Sequence, residues 1–96
     1  MTDTRTEFIT KAKENLDQID AKIVELEAKA NQKKGDLRRD LEETLTSIRQ
    51  RKDEAKLRLE ELRLASKPAW NDVKQGVEQA QSALSKALHS ATERFH

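Results

Sequence analysis

The run Ile9-Thr-Lys-Ala12-Lys-Glu-Asn-Leu16-Asp-Gln-Ile19-Asp-Ala-Lys-Ile23-Val-Glu-Leu26-Glu-Ala-Lys-Ala30 settles the fold class before anything else is read. Ile9, Ala12, Leu16, Ile19, Ile23, Leu26 and Ala30 recur at alternating intervals of three and four, with mostly charged or amide side chains between them. That is a heptad seam, the pattern of a helix that buries one narrow stripe against another helix. Just upstream, Thr4-Arg-Thr-Glu7 has the spacing of a capping box, which satisfies free amides at a helix start. The acid-first pairs Glu7 with Lys11 and Glu25 with Lys29 are spaced to add about 0.2–0.5 kcal/mol each to such a helix.

Downstream, a second periodic block runs through Leu37, Leu41, Leu45, Ile48, Ala55, Leu59 and Leu62. The step from Leu37 to Leu45 is four plus four, a stutter that rotates the stripe relative to a strict heptad. Leu57 and Leu64 predict a wider apolar face toward the end of this block, in contact with two helices. Between the blocks lies Asn31-Gln-Lys-Lys-Gly-Asp36. Gly35 can end one helix as its C′ residue with Asp36 capping the next. Equally, one glycine inside a continuous helix costs only about 1 kcal/mol. Both readings stand at this point.

Pro68 disfavours helical backbone at Lys67 and suits the first position of a new helix, so it predicts a firm boundary. Composition changes there too: residues 1–66 carry 30 charges and residues 69–96 only six. Trp70, Val73, Val77, Leu84, Leu88 and Phe95 form one stripe of the last segment, flanked by Gly76, Ala80, Ala83, Ala87 and Ala91. A row of small residues lets a neighbouring helix come close, because interaxial distance follows the side chains at the contact. The third segment is expected to be a packed element.

The whole-chain arithmetic agrees with an all-α reading. Ala, Glu, Lys, Leu and Arg supply 52 of 96 residues, and there are two glycines and one proline for turns. Charged residues make up 39%, against roughly 25% in ordinary soluble domains. The expected architecture is one helical domain over 1–96, a coiled-coil bundle of three segments near 4–33, 36–66 and 69–94. Residues 4–66 form its charged coiled-coil region and 67–96 its third helix. The first two segments join either through a turn at Gly35 or as one continuous helix. In the second case two chains would pack antiparallel as a swapped dimer, using the same contacts. A thin core for 96 residues favours the dimer modestly, since small chains often associate to bury enough surface.

Several function classes recede. With no cysteine there is neither a disulfide framework nor a thiolate metal site. A net charge of +1 lacks the basic excess that phosphate neutralisation asks of a nucleic-acid binder. The first seven residues have no apolar run of a secretory signal, and no stretch reaches the ~18 apolar residues of a membrane span. A cytoplasmic, bacterial-type protein is the expectation.

The chain resembles the small bacterial coiled-coil proteins known as stress-response proteins, familiar from cyanobacteria and proteobacteria. The likeness rests on Phe8-Ile9, Leu16 and Ile19-Asp-Ala-Lys-Ile-Val-Glu-Leu-Glu-Ala-Lys-Ala30 in the first block, and on Leu59-Glu-Glu-Leu-Arg63 in the second. Its most specific part is Ala69-Trp-Asn-Asp-Val-Lys-Gln-Gly-Val-Glu-Gln-Ala80, followed by Ala91-Thr-Glu-Arg-Phe95. These look like the family's A-W-x-D-L/V-K-x-G-V-E-x-A box. Ile19 and Gln81 stand where members often carry Trp, and Gly35 interrupts a segment usually rich in Ala and Lys. The resemblance implies a helical, non-catalytic protein linked to stress.

Four features compete for a functional role. His89, Glu93 and His96 share a helix face at metal-ligand spacing, but isolated spacing of this kind is weak and exposed polar residues explain it better. Lys33, Lys34, Arg38 and Arg39 form a basic cluster that Asp36, Asp40, Glu42 and Glu43 can neutralise. The third helix has a Ser-, Thr- and Gln-rich face of the kind that lies on lipid, yet its apolar face has few bulky anchors. Trp70 fits a partner hot spot, and fits more simply a plug at the bundle end.

The expected function is therefore a stress-associated structural or interaction protein, without enzymatic activity, metal or cofactor, that forms a homodimer or higher homo-oligomer. Ile9, Leu16, Ile19, Ile23, Leu26, Leu41, Leu45, Ile48, Leu59 and Leu62 would form the self-association seam. Trp70, Val73, Gly76, Val77, Leu84 and Leu88 would dock the third helix, and Gly35 and Pro68 are the hinge candidates. A peripheral membrane-surface protein is the first alternative. A nucleic-acid or ribosome-associated factor using Lys33 to Arg39 is the second and is less favoured.

Overall fold

The computed structural model describes residues 4–95. It is an all-α bundle of three helices: α1 (Thr4–Gln32), α2 (Gly35–Arg63) and α3 (Trp70–Arg94). The bundle is about 51 Å long and 23 by 17 Å across. Twenty-nine residues at 1.5 Å per residue give roughly 44 Å, so α1 and α2 each run nearly its full length.

The first connection is a turn. Lys33 N–H donates to the Ala30 carbonyl at 3.2 Å, Lys34 is extended, and Gly35 takes φ +64°. A side chain at that left-handed φ would cost roughly 1–2 kcal/mol, so glycine suits the position. The glycine acts at the entry of α2, not as the C′ residue of α1, because the chain passes through an extended Lys34 first. Asp36 consequently falls inside the first turn of α2, and Lys34 is the cap residue, with no side-chain capping bond. Thr4 is the first helical residue of α1, so the position that would cap it lies outside the described residues.

The second connection is longer than the sequence predicts. α2 stops at Arg63 instead of Ser66, and Leu64 and Ala65 close it by donating to the Glu60 and Leu62 carbonyls. Turns follow at once, with Ala69 N–H donating to Ser66 O at 3.1 Å and Trp70 N–H to Lys67 O at 3.3 Å. Pro68 is the second residue of that last turn, where its fixed φ is favoured. It therefore precedes α3 by two residues instead of opening the helix. Ala69 takes the cap position, and its carbonyl accepts from Val73 N–H.

The core is entirely apolar among the described residues. α1 contributes Ala12, Leu16, Ile19, Ile23, Leu26 and Ala30, and α2 contributes Leu41, Leu45, Ile48, Ala55, Leu59 and Leu62. Val77, Leu84, Leu88, Ala91 and Phe95 complete it from the third segment. α2 is the central element: α3 packs most extensively on α2, α1 less so, and α1 and α3 touch least.

Candidate interaction surface

The α1–α2 seam combines apolar burial with charge pairing along its flank. Asp20 on α1 faces two lysines of α2, with its carboxylate 3.1 Å from Lys52 Nζ and 3.5 Å from Lys56 Nζ. One turn pair further along, Glu27 accepts from the Arg49 guanidinium at 2.6 Å. Lys52 is the informative member. It occupies the seam position between Ile48 and Ala55 and its side chain is only 20% exposed. A charge at an apolar seam position narrows the registers in which two helices can pair, because only one brings its partner opposite. Sequence reading passed over this residue, although the seven-residue gap between Ile48 and Ala55 was the signal for it.

The expected i,i+4 pairs on α1 give way to these longer-range contacts: among the described residues, no ion pair joins Glu7 to Lys11 or Glu25 to Lys29. Glu25 and Lys29 instead line an open groove of about 210 Å³ between α1 and α3, with Asn15, Lys22, Ser85 and His89. Asn15 Oδ1 is buried there without a hydrogen-bond partner. The groove exists because α1 and α3 are the least engaged pair of helices. A hydrogen bond spans them, from Gln81 Nε2 to the Ala12 carbonyl at 3.0 Å.

At the opposite end from the Gly35 turn, Trp70 and Phe8 meet edge to face with ring centroids 6.3 Å apart. The Arg5 guanidinium lies 4.8 Å from the Trp70 ring and Lys74 Nζ 5.0 Å from the Phe8 ring. Both rings are half-buried and pack on the core edge. Cation–π contacts of this exposed kind are worth about 0.5–1 kcal/mol each. The cluster closes the end of the bundle across α1 and α3.

Of the residues expected in the self-association seam, Leu16, Ile19, Ile23, Leu26, Leu41, Leu45, Ile48, Leu59 and Leu62 are buried within the single chain and Ile9 is half-buried. In the third helix Val77, Leu84 and Leu88 are buried, while Trp70, Val73 and Gly76 lie at its edge. A Cβ built on Gly76 would meet only the Arg58 Cδ, at 4.0 Å. The close approach of α3 to α2 does not depend on that glycine.

The wider face expected on α2 is not formed. Leu57 and Leu64 are 59% and 71% exposed, and Leu37, at the other end of the predicted stripe, is 48% exposed. A single helix carries apolar residues at more angles than two neighbours can cover. α1 and α3 together cover the arc from Leu41 to Leu62 and leave Leu57 and Leu64 outside it. Val24 of α1 is likewise exposed, at 62%.

Of the remaining candidates, His89 and Arg38 form surface pairs. His89 Nε2 lies 3.1 Å from Glu93 on an open stretch of α3, and His96 lies outside the described residues. Among the described residues no three His, Asp or Glu side chains gather as a metal-binding group. Within the basic cluster Arg38 pairs with Glu42 at 3.1 Å, whereas Asp40, expected to neutralise the cluster, lies 4.0 Å from Arg94 of α3. Among the described residues, the carboxylate with a displaced acidity is Glu60. Hydrogen bonding from the Arg63 guanidinium holds its carboxyl below the usual range, and the same contact raises Arg63. The pair is about half exposed and lies at the last turn of α2. No helix among the described residues is long and apolar enough to cross a membrane.

What the arrangement offers, then, is helix association: apolar stripes, a half-buried seam lysine and flanking ion pairs. No family model matches the chain, and no curated protein or solved structure matches it either.

Proposed function

We propose that this chain is a non-catalytic helical interaction protein that works through self-association, in a stress-associated setting. The observation that carries the reading is the α1–α2 seam, an apolar stripe with the Asp20–Lys52, Asp20–Lys56 and Glu27–Arg49 pairs along it, the pattern by which helices pair in coiled coils. Such a surface recognises a complementary helix equally well within a chain or between chains. The stress setting is supported by the Ala69–Ala80 box and the Phe95 ending that resemble the bacterial stress-response coiled-coil proteins.

Light scattering over a wide concentration range tests the association. A mass of two or more chains at higher concentrations is expected, and a monomer throughout would refute it. The stress setting is tested separately, by the abundance of the protein in its own cells before and after osmotic and oxidative challenge. Unchanged abundance under both would remove that part.

A further inference from the structure

We propose that the partner is a second copy of this chain and that the two copies exchange α1, by straightening at Gly35 into one continuous α1–α2 helix. The inference rests on the self-association reading and gives it a geometry. Three observations lead to it.

The seam keeps its phase across the turn. Read from Ala30 through Lys33, Leu37, Leu41 and Leu45, the stripe advances by three and then by four at every step, and returns to alternating threes and fours. Two helices joined by a turn need no common phase, because the turn can reorient the second at will. A continuous helix does need it, and a run of fours is the stutter such a helix accommodates.

The cross-helix pairs centre within residues 36 to 38. Glu27 and Arg49 lie 11 residues either side of residue 38, Asp20 and Lys56 lie 18 either side of it, and Asp20 and Lys52 straddle residue 36. Two straight α1–α2 helices, packed antiparallel in that register, would keep every one of these pairs between chains. Their two-fold axis would pass beside Leu37, the seam residue that the turn leaves 48% exposed. In the exchanged pair each Leu37 meets its copy, so the residue stranded in the monomer gains a partner.

The third observation concerns which element is free to leave. α3 packs most extensively on α2, and α1 is the least engaged helix. The α2–α3 unit can stay intact while α1 crosses to the other copy. The Gln81–Ala12 hydrogen bond then forms between chains. At the hinge, a Cβ on Gly35 meets nothing within 4 Å, so an alanine there would suffer only from the left-handed φ of +64°. Alanine would also propagate a helix better than glycine does.

The chain has no cysteine, so Thr10→Cys and Glu61→Cys allow two labels to be placed on exposed sites at one end of the bundle. A trace of doubly labelled chain in excess unlabelled chain reports the intrachain distance by energy transfer, beside light scattering for mass. Straightened, the labels stand roughly 75 Å apart at 1.5 Å per residue, beyond the 51 Å length of the closed bundle. Exchange predicts a dimeric mass with that long distance. Gly35→Ala is expected to strengthen dimerisation about 100-fold or more, since it penalises the turn and favours the helix. Leu37→Glu is expected to weaken it about 10-fold or more by placing like charges together at the axis, with the melting of the monomer unchanged.

A dimeric mass with a short intrachain distance would overturn the exchange while leaving self-association standing. A monomeric wild type would sink self-association and the exchange with it, even where the Gly35→Ala variant is a dimer with the long distance. Monomers in both would sink both. Dimerisation unmoved by Gly35→Ala and by Leu37→Glu would also overturn the exchange.

Discussion

Gln81 Nε2 donates a 3.0 Å hydrogen bond to the main-chain carbonyl of Ala12, joining α3 to α1 across the least engaged face of the bundle. The bond is half-buried, and it fixes the level at which α3 stands against α1. A carbonyl inside a helix already accepts from the helix ladder, so losing the side chain leaves no orphaned backbone group. Gln81→Leu should therefore cost only the net worth of one hydrogen bond, about 0.5–1.5 kcal/mol. Urea unfolding of the two proteins measures it. A variant as stable as the parent would show that apolar contact alone holds α1 to α3.

The exposed leucines of α2 give a sharper contrast. Leu45 and Leu62 are buried to 2% or less, and Leu57 and Leu64 are mostly exposed. Truncating a buried leucine removes its transfer free energy and leaves a cavity, so Leu45→Ala and Leu62→Ala should each cost about 2–5 kcal/mol. Leu57→Ala and Leu64→Ala should stay within about 0.5 kcal/mol. Denaturant midpoints for the four variants decide it, and a large loss at Leu57 would mean that something covers this face.

These same residues show what the sequence makes legible. The seam from Ala12 to Ala30 is readable because one narrow stripe faces the rest of the bundle, and period alone then names the buried residues. Leu57 and Leu64 are misread because periodicity records how wide an apolar face is, whereas burial depends on how many helices lie against it. α2 has two neighbours, and both lie on the Leu41–Leu62 arc. Pro68 is legible as a boundary but not as a position, since its fixed φ serves a turn and a helix start alike. Asp20 and Lys52 could not be paired in advance. Their meeting depends on the length of the turn at Gly35, which one glycine compatible with two conformations does not specify. The Trp70–Phe8 contact is hidden for a similar reason, because it needs the level of α3 against α1.

Gly76 sits inside α3 at its edge against Arg58, and a Cβ there would make ordinary van der Waals contact at 4.0 Å. Nothing about the backbone there requires glycine, since Gly35 is the only glycine with positive φ. Gly76→Ala should thus stabilise the bundle by about 0.5–1 kcal/mol, through helix propensity and a less flexible unfolded chain. Thermal unfolding monitored by circular dichroism reads the gain. A loss of stability would mean that α2 and α3 approach more closely at this level than the Arg58 contact implies.

Lys52 and Asp20 meet across the α1–α2 seam, and their worth in stability differs from their worth in specificity. The pair is 3.1 Å apart, with side chains 20% and 36% exposed, so it is partly screened by solvent. Asp20→Asn should cost about 0.5–1 kcal/mol in dilute buffer, and less in concentrated salt, where the Debye length shortens to roughly 3 Å. Lys52→Leu should do the opposite. It puts an apolar side chain at an apolar seam position between Ile48 and Ala55, leaves Asp20 its second partner Lys56 at 3.5 Å, and should raise stability by about 1 kcal/mol. A double-mutant cycle of Asp20→Asn with Lys52→Leu separates pairing from burial. A coupling energy near zero would show that the half-buried lysine lies in the seam for reasons other than Asp20.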